Sequence, residues 1–145
     1  LALGSGAALS LASTGSSVTA APQDESEAAA TRFLYVAGNL SNAGQLKLGG
    51  IGDVVRRFVF EVGGDVVLSG ASKTAVYAAR GVGDVATPAQ LYAKRTDFKI
   101  GGGLILSDTA ILYPVCDPLT GTAVFLDAAS ASVASGASVN ANGLG

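Results

Sequence analysis

Val54-Val55-Arg56-Arg57-Phe58-Val59-Phe60-Glu61-Val62, then Gly63-Gly64-Asp65, then Val66-Val67-Leu68, is the stretch whose reading decides the fold. β-branched and aromatic residues fill the first run, a glycine pair with Asp interrupts it, and a second apolar run follows. That is strand, turn, strand. The same grammar recurs on both sides. Arg32 to Val36 stops at Gly38-Asn39, and Gln45-Leu46-Lys47-Leu48 alternates polar and apolar before Gly49-Gly50. Lys73 to Arg80, Ala89 to Asp97, Gly103 to Leu106, Ala110 to Val115 and Ala123 to Asp127 add further short runs. Asp117-Pro118-Leu119-Thr120-Gly121 reads as a turn by its Pro and Gly chemistry.

Some eight short strands punctuated this way predict an all-β fold, a small sandwich or barrel. Helix is admissible only at Ser26–Arg32 and at Thr87–Lys94, where Thr87 can cap and Pro88 can open the first turn.

Composition divides the chain into three. Residues 31–127 hold all nine basic residues, eight of eleven acidic ones and all nine aromatics. Residues 1–30 and 128–145 are mostly Ala, Ser, Gly and Thr or Asn, and the second stretch carries no charge. A β domain over 31–127 with extended arms at 1–30 and 128–145 is therefore expected. The arms have too little large side chain to offset the entropy of ordering, roughly 1–2 kcal/mol per residue. They also have too little charge for solvated tails. Both features suit arms that lie against a neighbour.

The same numbers exclude several classes of function. Charged residues are 14% and the net charge is −2, so there is no basic footprint for nucleic acid. No run resembles a membrane span, and Leu1 to Ala21 lacks the basic start of a secretory leader. With no His and a single Cys116, nucleophilic catalysis has no base and a structural zinc site has no ligands. Cys116 is expected to be a small packed hydrophobe. No enzyme activity, cofactor or metal is expected.

Three features invite a sharper reading. Asp53, Asp65 and Asp84 each follow Gly and precede Val, as calcium-binding glycine-aspartate repeats do, but their spacings of 12 and 19 are unequal. Turn chemistry explains them better than a solenoid does. Gly101-Gly102-Gly103 lacks the Lys-Ser/Thr of a phosphate loop and is expected to serve a hinge or a close backbone approach. Adjacent Arg56 and Arg57 in a strand must point to opposite faces, so one needs a partner such as Glu61 or a neighbouring subunit. With Lys94 and Arg95 they form the candidate contact set for an acidic partner.

In composition and layout the whole chain resembles the cement or decoration proteins of tailed-phage capsids. The resemblance implies a structural, non-catalytic protein of the virion, bound to the major capsid protein or another shell protein. It implies a homo-oligomer, a trimer before other numbers, without nucleic acid or membrane. No motif carries it, so it transfers no functional residue. The alternative is a secreted or surface-fibre subunit that assembles by strand complementation.

Overall fold

The computed structural model describes residues 1–11, 31–49, 57–79, 95–116 and 122–141. None of them is helical. The strands fall into five successive coils of chain, here called rungs. The first holds β1 (Ala2–Leu3) and β2 (Ala8–Leu11). The second holds β3 (Thr31–Val36), β4 (Leu40–Asn42) and β5 (Gln45–Leu48), and the third β6 (Arg57–Val62), β7 (Val66–Leu68) and β8 (Lys73–Tyr77). β9 (Arg95–Leu106) and β10 (Ile111–Val115) make the fourth, and β11 (Val124–Val133) and β12 (Ser138–Val139) the fifth.

Every pairing among these strands is parallel, and each joins a rung to the next. Ala2, Ser41, Val67, Ile105 and Ser132 stack in one column, 39, 26, 38 and 27 residues apart. β9 and β11 are long enough to run through two columns, which joins seven strands into one curled sheet; β2, β5, β8, β10 and β12 form a second sheet of five. The described residues form a parallel β-solenoid.

This corrects the expected sandwich or barrel of short strands. A run such as Phe58-Val59-Phe60 announces a strand but not the direction of its neighbour. Hairpin partners require the chain to reverse at each turn. Here β3, β4 and β5 are separated by corners, and the chain continues around the core to pair one rung later. The long return that a parallel pair needs is supplied by the rest of the coil. The two helical expectations, at Ser26–Arg32 and Thr87–Lys94, lie outside the described residues except for Thr31 and Arg32, which open β3.

The core sits between the two sheets. Phe60 stacks on Phe98, Leu40 on Val66 and Leu104, and Val62 on Ile100, all buried. Alternation sends the intervening side chains out: Tyr35, Glu61, Lys99 and Asp127 share one exposed ladder, with charges alternating along its last three positions. Asn42 is one of six buried polar residues among those described. Its Oδ1 accepts the Gly44 N–H at 2.9 Å and its Nδ2 donates to Thr74 Oγ1 at 2.8 Å, so neither buried side chain is left unsatisfied.

Composition boundaries do not coincide with breaks in this stack. β1 and β2 pair with β4 and β5, and β11 runs across the 127/128 boundary in register with β9.

Candidate functional site

Two features of the solenoid stand out: a charged cluster at the start of one column and the strands of the first and fifth rungs.

The cluster is built by register. Arg57 and Arg95 are direct partners on β6 and β9, and Asp97 follows two residues later on the same face of β9 as Arg95. Asp97 Oδ2 accepts from Arg57 Nε at 2.7 Å, and Oδ1 accepts from Arg95 Nε at 2.8 Å. A second contact of 2.6 Å joins Arg57 Nη2 to Oδ2. The Asp97 side chain is 7% exposed, against 23% and 17% for the two arginines. One carboxylate thus bridges two guanidinium groups that would otherwise repel across adjacent strands. The Arg95 guanidinium also lies 5.0 Å from the centre of the Phe125 ring on β11. The cluster therefore ties three consecutive rungs together.

Of the four expected contact residues, the structure places Arg57 and Arg95 side by side; Arg56 and Lys94 lie outside the described residues. The partner suggested for the strand arginine, Glu61, points to the exposed ladder instead, and Asp97 takes its place. Sequence reading missed Asp97 because it lies 40 residues from Arg57 and becomes its neighbour only by stacking.

Asp65, read as a turn residue, also acts between rungs. Its N–H donates to Asn39 Oδ1 at 2.9 Å, and its own Oδ1 accepts the Gly103 N–H at 2.7 Å. Asn39, Asp65 and Gly103 are equivalent corner positions, and the Asn39 and Asp65 side chains each satisfy a main-chain donor of the rung that follows. Asp53 and Asp84 lie outside the described residues. Among the described residues no cluster of three His, Cys, Asp or Glu side chains forms a metal site. Gly101 and Gly102 do make a close backbone approach: a Cβ on Gly101 would lie 2.5 Å from the Gly63 carbonyl oxygen of the rung before. Cys116 is a half-buried free thiol just after β10.

The pairing of the first and fifth rungs is the second feature. Among the described residues β1 pairs only with β4, and β11 only with β9. An apolar cleft near Leu34, Leu46, Phe60 and Phe98 has a volume of about 10 Å³, room for about one water, and is packing space rather than a ligand chamber.

Comparison of the chain with protein-family models, curated proteins and solved structures finds no match.

Proposed function

We propose that the chain is a non-catalytic structural module of an extended assembly on a virion or cell surface, working by strand addition. The observation that carries this reading is the solenoid itself. Stacked parallel rungs make a rod whose core and hydrogen bonds repeat along one axis. A fibre or stalk subunit needs those properties. Two of the described carboxylates are bound into the scaffold, Asp97 by two arginines and Asp65 by the Gly103 amide. The low charge and abundant small residues suit close backbone stacking. Between the two structural readings, the rod favours the fibre subunit over a compact decoration protein clamped at capsomer junctions.

Immunogold labelling of source cells or particles tests this reading. Label along surface projections or virion fibres is expected. Label confined to the cell interior, away from any particle, would sink it.

A further inference from the structure

The outer face of the second sheet differs in charge from that of the first. Alternation along β8 turns Thr74 and Val76 into the core and leaves Lys73, Ala75 and Tyr77 outside. On β5, Gln45 and Lys47 face the same way. On β10, Leu112 is buried while Ile111 and Tyr113 point out. Register then sets a cross of side chains. Ala75 lies between Lys47 on β5 and Tyr113 on β10, with Lys73 and Tyr77 two residues before and after it on its own strand. Neighbouring strands lie about 4.8 Å apart, and two residues along a strand span about 6.6 Å. Two ammonium groups and two phenols therefore surround a floor made by one methyl group.

No carboxylate accompanies these lysines. Among the described residues Glu61, Asp97 and Asp127 lie on the first sheet, while Asp65 and Asp108 accept main-chain N–H groups at corners. Asp97 bridges Arg57 and Arg95, and Lys99 stands between Glu61 and Asp127 in the exposed ladder. Lys47 and Lys73 are instead diagonal neighbours of like charge, with Cα atoms about 7–8 Å apart. Among the described residues neither ammonium forms an ion pair or hydrogen bond, and neither do the hydroxyls of Tyr77 and Tyr113. Four free donors thus share one face, and an anion placed between the lysines would relieve their repulsion.

The aromatic partners select the kind of anion. Each tyrosine offers a ring for the C–H side of a sugar and a hydroxyl for its polar rim. A carboxylate on that sugar would accept charge-assisted hydrogen bonds from the ammonium groups. Nucleic acid suits the face less well, because its affinity comes from neutralising many phosphates. Here two cations stand on one face of a chain with net charge −2. A protein partner would cover a broader patch, roughly 800 Å² on each side with an apolar centre. The centre here is one alanine ringed by polar tips.

We propose that Lys47, Lys73, Tyr77 and Tyr113 form a binding site for an acidic polysaccharide, with Ala75 as its floor. The lysines pair with sugar carboxylates, and the tyrosine rings carry the sugar faces. This activity goes beyond the structural role and does not depend on it.

Calorimetric titration of the full chain with polygalacturonate at low salt tests the site. Binding is expected, and uncharged dextran should give none. Lys47→Gln and Lys73→Gln should each weaken it roughly tenfold, the worth of one charge-assisted hydrogen bond. Lys99→Gln, the same charge change on the other sheet, should leave it unchanged. Tyr113→Ser should weaken it about fivefold through the lost ring contact. The lysine variants alter only exposed side chains and carry the test if the tyrosine variant fails to fold. No binding of polygalacturonate, or equal losses from Lys99→Gln and Lys73→Gln, would overturn the proposal. Equally tight binding of polyglutamate or of single-stranded DNA would overturn it too, by assigning the face to a polypeptide or a nucleic acid. A chain that labels surface fibres yet ignores polygalacturonate would refute the site and leave the structural role standing.

Discussion

Asp97 is the residue on which the charged column depends. Asp97→Ala leaves Arg57 and Arg95 register-paired and half-buried without their shared counter-ion. Breaking a fully buried pair costs roughly 3–5 kcal/mol; with both arginines partly exposed, a loss of about 2–3 kcal/mol is expected. Urea unfolding beside Asp127→Ala, which alters an exposed position, checks it: the two variants should differ by most of that amount. Asp65→Ala is a milder case. It deprives the Gly103 amide of its acceptor and should cost about 1–2 kcal/mol. Faster hydrogen exchange at Gly103, with neighbouring amides unchanged, would be the signature of that lost bond.

At the scale of the element, the corner between the first two columns decides which strands can stack. Val36-Ala37-Gly38-Asn39-Leu40, Val62-Gly63-Gly64-Asp65-Val66 and Ile100-Gly101-Gly102-Gly103-Leu104 are the same corner on three rungs. A side chain on Gly101 would press on the Gly63 carbonyl beneath it, whereas one on Gly38 would meet nothing within 4 Å. Gly101→Ala should therefore destabilise by about 1–3 kcal/mol, and Gly38→Ala by far less. Thermal unfolding of the pair tests the corner directly, and equal losses would show that the approach is not tight. The fifth rung passes this corner with one residue fewer, between Ala128 and Ser130.

For the whole molecule, stability accumulates by stacking, since each rung touches mainly its neighbours. β9 is sandwiched between β6 and β7 on one side and β11 on the other. Native-state hydrogen exchange should accordingly find the slowest amides in β6 and β9 and the fastest in β1, β2, β11 and β12. Uniform protection along the chain would indicate a single cooperative unit instead.

Much of the local structure was legible because it depends on nearest neighbours in the chain. Phe58, Phe60 and Val62 alternate as a half-buried strand must, the apolar runs at 32–36, 45–48 and 66–68 became β3, β5 and β7, and the glycine triplet made the close approach expected of it. The sequence also contained the corner repeat, and the reading picked out its member at Val62–Val66. It matched that member to Gly50–Val54 and Gly81–Val85, outside the described residues, rather than to its stacked partners Val36–Leu40 and Ile100–Leu104. The unequal rung lengths hid the true period: returns between the third column and the next rung vary, so equivalent residues fall 26 or 39 positions apart. Strand direction, the Arg57–Asp97–Arg95 cluster and the Asn39–Asp65–Gly103 ladder were decided only by tertiary structure. Each depends on which residues the coil lays over one another, and a pairing across some forty residues leaves no local mark on the chain.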